Sequence, residues 1–505
     1  MKNKMDFHLL VLLILLIFYA AYWIYFANYK YVNYSSNYYD LGVQAYSLYW
    51  HANGLEYYTN PLQYLVFANH LSFTEMLLVL PFFAIYQQPI SFLVVQQVTL
   101  AITALAIYLI VLDLLKSRNI AFAFAIAFML SPGAMGLANF DFHMEAFTIL
   151  FYVLTFYFYL KKRKGYFALS FVLLLGTMEV EPLQGISLLV GLLLYELLHN
   201  RGFKRVDKQR LQLLGIGMLL SVLFFAVYYL LFSYIPMTYS NSTVQPIVPI
   251  QQPRNYLSEQ VNAVLGTGGQ GSKNFELLGG LEVLMFFLSF SLSSLVVPLV
   301  STVLFSPWWV EVFVMHNFTF TWPYFQYFSY EFAASVVSAI LGLMLVKEGR
   351  LRIFGKRILW SSQIEVFVSV LTVITAIIMI LFLASAGNPY TLLLNFAPKT
   401  NYTALNYAVS QIPASANVLA QGAISSHLFY VRNLELSTSE TPSWFRPVNR
   451  TVYWFEPDYI IVNKNLTDYS YVVNALPFNE SNFSTRYEVI FNESNTYIYK
   501  KMHNV

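Results

Sequence analysis

Cysteine is absent from all 505 residues. That excludes disulfides, thiolate metal sites and thiol nucleophiles, and leaves the compartment open. Charge is scarce as well. Asp, Glu, Lys and Arg make up 11% of the chain, against about 25% in an ordinary soluble domain. The net charge of +3 is small. No basic stretch is interleaved with aromatics, so nucleic acid is not an expected partner. No internal repeat is visible.

What fills the chain instead is apolar: 57% hydrophobic and 18% aromatic. These residues come in long runs, not in amphipathic stripes, which reads as a polytopic helical membrane protein. The N-terminal stretch MKNKMDFHLLVLLILLIFYAAYWIYF is longer and more aromatic than a signal-peptide core. No small-residue cleavage site follows, so it reads as an uncleaved first span.

Lys and Arg are retained on the cytoplasmic side of a membrane. Lys2 and Lys4 therefore place the N-terminus inside, with the basic stretches at 116–118, 161–164, 201–210 and 347–357. Outside fall 29 to about 90, 132–145, 179–182, 236–274, 312–328 and everything after about 387. This pattern needs about eleven spans of near 20 residues or fewer. They are expected at 7–28, 90–112, 119–134, 146–160, 165–178, 183–198, 211–235, 275–292, 294–311, 329–346 and 359–386. The hairpin 275–311 has no charged turn and could be re-entrant. The first outer loop, 29–89, contains a short apolar segment, 71–87, broken by Pro81. That segment is expected to lie along the outer interface.

Past residue 387 the texture changes. YIIVN at 459–463, YEVIF at 487–491 and TYIYK at 496–500 read as strands, and a helix ending near Pro413 precedes another. The expected division is a membrane domain over 1–387 and a small extracytoplasmic α/β domain over 388–505. N-x-Ser/Thr sequons begin at Asn33, Asn241, Asn317, Asn401, Asn449, Asn465, Asn479, Asn482 and Asn492. Glycan acceptors must face outside, and all of these do in this topology. Absent cysteine, few charges and many outer sequons suit an archaeal envelope.

The polar residues that could carry chemistry gather on the same outer face. The first loop holds Asp40, Gln44, His51, His70 and Glu75. The stretch NFDFHMEAF brings Asp141, His143 and Glu145 between two apolar runs, and TMEVEP brings Glu179 and Glu181. A later outer segment holds His316 and Tyr324. Ionisable groups beside hydrocarbon are costly and are functional candidates by default. Asp141, His143 and Glu145 alternate, so an extended chain would place all three on one face, whereas a helix would turn His143 away. Two carboxylates and an imidazole suit a divalent cation such as Mg2+ or Mn2+. The plainer alternatives are that Asp141 caps the following helix and that His143 and Glu145 are solvated. GTGGQGSK at 266–273 lacks the order a phosphate loop needs, since Ser272 precedes Lys273. An NTPase is not expected.

An inside N-terminus, one span, a long outer loop with an early acid, an interfacial segment and a span opening ISFLVVQQ together resemble the GT-C membrane glycosyltransferases. YDLGVQAYSLYWHANG, NHLSF, NFDFHMEAF, TMEVEP, IPASANVLAQGAISSHL and PDYIIVNK resemble more closely an uncharacterised prokaryotic family of multi-pass membrane proteins, over nearly the whole chain. The GT-C resemblance rests mainly on the first third. It implies a polyprenyl-phosphate sugar donor, transfer to an acceptor on the outer face, and Asp40 as the group that activates the acceptor. In that scheme Gln44, His51, His70, Glu179, Glu181, His316 and Tyr324 would line the substrate site. Arg254 or Lys273 would neutralise the leaving phosphate. The commoner pattern of the closer family has Lys where this chain has Met178. A transporter or flippase, with acids relaying protons or holding a solute, is the rival reading. An envelope assembly protein is a third.

Overall fold

Backbone polar groups in so apolar a chain must find partners within their own segment, which the α-helix provides without water. The computed structural model describes residues 7–36, 41–53, 72–200, 202, 205–240, 289–310, 328–350, 352–353, 356–357, 360–385, 402–436, 457–466 and 483–502. These residues are mainly helical. Helices α1 (Phe7–Val32), α2 (Val43–Ala52), α3 (Phe73–Leu78) and α4 (Leu80–Ile85) come first. Next are α5 (Ile90–Leu115), α6 (Arg118–Met129), α7 (Pro132–Asn139), α8 (Glu145–Leu160), α9 (Lys164–Leu175), α10 (Glu181–Asn200) and α11 (Lys208–Ser240). The short α12 (Pro298–Leu304) and α13 (Ser306–Trp309) lead to α14 (Phe328–Lys347) and α15 (Ser362–Ser385).

Five of these helices, Phe7–Val32, Ile90–Leu115, Glu181–Asn200, Lys208–Leu230 and Ser362–Leu381, are long and apolar enough to cross a membrane. α6 and α7, bent by 42° at their junction, make a sixth if taken together. α8, α9 and Phe332–Lys347 are apolar but shorter. Most expected helices fall where the apolar runs lie. The expected continuous span over 294–311 does not form. A 3-10 segment, Ser289–Val296, precedes α12 and α13, each opened by a proline in its first turn. Proline fixes the first turn of a helix and cannot continue a preceding one. The segment 71–87, expected at the interface, contains two short helices, α3 and α4, with Ser72 capping the first: its Oγ accepts the Glu75 N–H at 3.1 Å.

α5 packs against α1, α6 and α8; α8 against α9 and α14; α10 against α11 and α12; α6 against α15. α14 lies on the 3-10 segment so closely that a Cβ at Gly342 would strike the Ser293 carbonyl. Small residues permit such approach between apolar helices.

The two ends of this bundle differ. At one, Asp113 meets Lys116 (2.8 Å) and Lys161 (2.5 Å), Lys162 meets Asp207 (2.9 Å), and Arg210 meets Glu196. Lys347 Nζ donates to the Leu115 carbonyl at 2.7 Å, and Ser117 Oγ to Glu365 at 2.9 Å. This end carries the basic turns. The other end begins at Gln96, about 26 Å from Asp113 along α5 at ~1.5 Å per residue.

On that second end sits a five-stranded sheet of order β4-β3-β5-β7-β6. β3 (Asn417–Ala420) pairs in parallel with β4 (Asn433–Leu436) and with β5 (Tyr459–Asn463). β7 (Thr496–Lys501) pairs antiparallel with β5 and with β6 (Tyr487–Glu493). The β6–β7 turn uses Ser494 and Asn495 at φ 47° and 63°, the left-handed pair that suits a tight hairpin. Side chains alternate across the central strands. Leu419, Ile460, Val462 and Tyr487 cluster on one face, while Val418, Ala420, Ile461 and Ile498 join the main core on the other. A two-residue ribbon, β1 (Arg352–Ile353) with β2 (Lys356–Arg357), lies between α14 and α15.

Candidate functional site

The site grows from a break in the chain after α6. Ser131 caps the next helix, its Oγ accepting the Ala134 N–H at 3.2 Å, and Pro132 takes the first helical position. α7 is short, and residues 140–144 leave it without helical structure. α8 then starts at Glu145, with Met144 as its N-cap and no side-chain cap bond. Asp141 therefore does not cap α8. Glu145, in the first turn, faces the positive end of the helix dipole.

Two glutamines near the start of α5 hold this turn. Gln96 Nε2 donates to the Leu137 carbonyl at 2.7 Å and to the Asp141 carbonyl at 3.3 Å. Its Oε1 accepts the His143 N–H at 2.6 Å. Gln97 Nε2 donates to the Ala138 carbonyl at 3.1 Å. Both glutamines are fully buried. A buried amide that satisfies otherwise orphaned backbone groups fixes a loop more firmly than apolar packing alone.

Each acidic side chain has its own counterpart. Lys30, in the last turn of α1, places Nζ 2.8 Å from the Asn139 carbonyl and 3.4 Å from Asp141 Oδ1. His143 Nδ1 lies 3.1 Å from Glu145 Oε2. Thr148 Oγ1 donates to Glu181 Oε1 at 2.5 Å. Thr148 is one turn beyond Glu145, so Glu181 approaches the same face of α8. Asp141, His143, Glu145 and Glu181 are all buried, and Glu179 is half-buried. Placing so many ionisable groups among apolar helices costs folding energy, which makes these residues candidates for a function.

Glu75 enters beside this layer. Thr74 donates its N–H to the Gly176 carbonyl (2.9 Å) and its hydroxyl to the Leu173 carbonyl (2.6 Å). α3 is thereby pinned to the end of α9, where the 176–181 turn begins. Met178 in that turn is buried.

The sheet domain closes over the same end. His427 is stacked between Tyr31 (ring centroids 4.3 Å apart) and Tyr34 (4.1 Å), with Nε2 3.0 Å from the Tyr31 carbonyl. Burial pushes the His427 pKa down to about 4, outweighing the carbonyl contact that raises it. Tyr34 Oη donates to Asn406 Oδ1 at 2.7 Å, and Tyr46 Oη to the Arg432 carbonyl at 2.6 Å. Tyr46 belongs to α2, which also carries Gln44, buried, and His51. One neighbour of Lys30 in sequence, Tyr31, thus touches the sheet domain, while Lys30 itself touches the Asp141 turn.

Asp40, His70, Arg254, Lys273, His316 and Tyr324 lie outside the described residues, as do Asn241, Asn317, Asn401, Asn449, Asn479 and Asn482, and the His51 side chain. Of the other sequons, Asn465 and Asn492 are exposed. Asn33 is half-buried and donates its amide to the Tyr29 carbonyl at 2.8 Å.

Sequence reasoning missed Lys30, Gln96, Thr148 and His427. The two amides in an otherwise apolar helix were a signal, as was a lysine at the end of α1 opposite the basic turns. Asp141, His143 and Glu145 are near one another, yet they divide between two partnerships, Lys30–Asp141 and His143–Glu145. Among the described residues no three His, Asp or Glu side chains form a metal-ligand group.

No curated protein matches the chain. The family described as "Predicted membrane protein (DUF2079)" matches residues 30–493. The match spans most of the sequence, including every residue of the buried polar layer, and the chain belongs to that family.

Proposed function

We propose that this chain is a multi-pass membrane glycosyltransferase of the GT-C kind, moving a sugar from a polyprenyl-phosphate donor to an acceptor on the outer face. The observation that carries the reading is the asymmetry of the bundle. Buried Asp141, His143, Glu145 and Glu181 gather at one end, under the sheet domain, while the basic turns gather at the other. Under the positive-inside rule the basic end is cytoplasmic. The polar layer and the sheet domain are then outside, where a lipid-linked donor presents its phosphate.

In this scheme the Asp40 carboxylate takes the proton from an acceptor hydroxyl. The acceptor oxygen attacks the anomeric carbon, and the donor phosphate leaves with the bonding pair. Arg254 or Lys273 neutralises the charge that develops on it. Gln96 and Lys30 act at one remove, holding the Asp141–His143 turn in a single shape beside α8. The sheet domain covers the site or receives the acceptor. Grouping of the acids at one end supports transfer over transport, which calls for a path through the midplane.

The test is transfer by the purified chain from a radiolabelled polyprenyl-phosphate sugar in mixed envelope lipid. Asp40→Asn should abolish transfer while leaving the thermal transition in place. Full transfer by that variant overturns the assignment of Asp40. Solute uptake into proteoliposomes, with no transfer by the wild type, overturns the reading as a whole.

A further inference from the structure

The cationic hairpin between α8 and α9 has no part in that reaction. Lys161 and Lys162 are compensated by Asp113 and Asp207 at 2.5 and 2.9 Å. Arg163 and Lys164 have no carboxylate partner among the described residues, and Lys164 donates to Gln212 Oε1 at 2.8 Å. Among the described residues the hairpin therefore carries two cations without a neutralising carboxylate.

These two cations border an open groove of about 450 Å³, lined by Lys162, Arg163, Lys164, Gly165, Tyr166 and Leu169. A Cβ at Gly165 would meet nothing within 4 Å, so packing does not demand a glycine and the floor stands open. Beyond it α9 presents apolar surface outward. Tyr166 is 62% exposed and Leu169 58% exposed. Tyr166 is stacked on Phe158 with centroids 5.1 Å apart, which fixes its ring. Three residues separate Tyr166 from Leu169, so the two lie on one face in succession.

We propose that this groove binds an anionic membrane lipid, its phosphate between Arg163 and Lys164 and its acyl chain along Tyr166 and Leu169. The guanidinium offers paired donors that match phosphate oxygens, and the ammonium adds a compact charge. The exposed ring and leucine directly beyond the cations select a lipid over free phosphate, which would leave that surface in water. The site lies at the end opposite the Asp141 turn and does not depend on the activity proposed for that turn.

The test is native mass spectrometry of the full chain released from micelles containing equal phosphatidylglycerol and phosphatidylcholine. The wild type should retain phosphatidylglycerol in preference. Arg163→Ala with Lys164→Ala should lower that preference by about fivefold for each charge removed. Gly165→Leu keeps every charge, adds a bulky side chain to the groove lining and should lower it comparably. Lys208→Ala, at the same end but outside the groove, should not. Millimolar inorganic phosphate should leave the retained lipid in place. Equal retention of both lipids by the wild type overturns the proposal. Undiminished preference in Gly165→Leu reduces the effect to surface charge and overturns the groove. Displacement of the lipid by inorganic phosphate makes the ligand a free anion and overturns the lipid.

Discussion

Gln96 Oε1 accepts the backbone N–H of His143 at 2.6 Å, while the same side chain's amide donates to the carbonyls of Leu137 and Asp141. One buried amide thus ties both ends of the α7–α8 connection to α5. Gln96→Leu is nearly isosteric but leaves these backbone groups without the side chain. Each buried group left unpaired costs about 1–3 kcal/mol. A clear fall in the melting temperature of the detergent-purified protein is expected. Gln96→Glu keeps the acceptor for His143 and should fall less when its carboxyl is protonated. Equal melting temperatures for wild type and Gln96→Leu would show that the turn holds itself.

Lys30 and Asp141 join α1 to the same turn at 3.4 Å, with 21% and 6% of their side chains exposed. Removing the cation takes a counter-charge from a carboxylate in a nearly closed site. Lys30→Met should therefore destabilise by about 2 kcal/mol. Adding Asp141→Asn removes the charge that Lys30 had faced and should recover part of the loss. The measurement is a double-mutant cycle on thermal or denaturant unfolding. Additive losses would mean that the pair contributes no coupling and that Lys30 acts through the Asn139 carbonyl alone.

Much of this architecture was legible in the residues. The apolar runs marked helices α5, α6 and α8 to α11, since a long apolar segment has few alternatives, whereas α7 falls in 132–145, which read as an outer segment. YIIVN, YEVIF and TYIYK marked β5, β6 and β7 because β-branched and aromatic residues alternate there. The hairpin 275–311 was the weak point. Residues 275–288 of it lie outside the described residues; in the rest Pro298 and Pro307 each open a new short helix, and hydropathy averages over such breaks. Within the site, the gathering of Asp141, His143, Glu145 and Glu181 at one end followed from alternating basic turns. Their partners did not. Gln96 reaches His143 across α5 and the α7–α8 turn, and His427 reaches Tyr31 from nearly the other end of the chain. Periodicity within one segment carries no information on such contacts.

The absence of cysteine gives a direct test of orientation. Asn495, in the β6–β7 turn, and Lys208, at the start of α11, are both exposed and sit at opposite ends of the bundle. In intact cells a membrane-impermeant maleimide should label Asn495→Cys. It should label Lys208→Cys only after permeabilisation. The exposed sequons at Asn465 and Asn492 supply a second readout in a glycosylating host, where their glycans should be removable by amidase, with Asn33 modified less because its amide is engaged. Labelling of both cysteines in intact cells would break the link between basic turns and the cytoplasmic side, and with it the outer position of the polar layer.

His427 makes the contact between α1 and the sheet domain sensitive to acid. Its pKa is depressed to about 4 by burial between Tyr31 and Tyr34, against an ordinary value of 6.5. The groups facing it are two phenols and the Tyr31 carbonyl, with no carboxylate among these contacts to hold a proton on the ring. Between pH 6.5 and 4 the unfolded chain binds a proton at this residue that the folded chain excludes. Stability therefore falls as pH drops through that window and levels off below the folded value. The full effect is about 3 kcal/mol at ~1.4 kcal/mol per pKa unit. His427→Gln keeps a side-chain amide near the Tyr31 carbonyl and cannot titrate. It should be less stable than the wild type at pH 7, where the neutral imidazole stacks on both rings, and that gap should narrow toward pH 4. Melting temperatures of the two proteins measured from pH 7 to pH 4 decide the matter, and curves that stay parallel across the whole range would remove His427 as the titrating group.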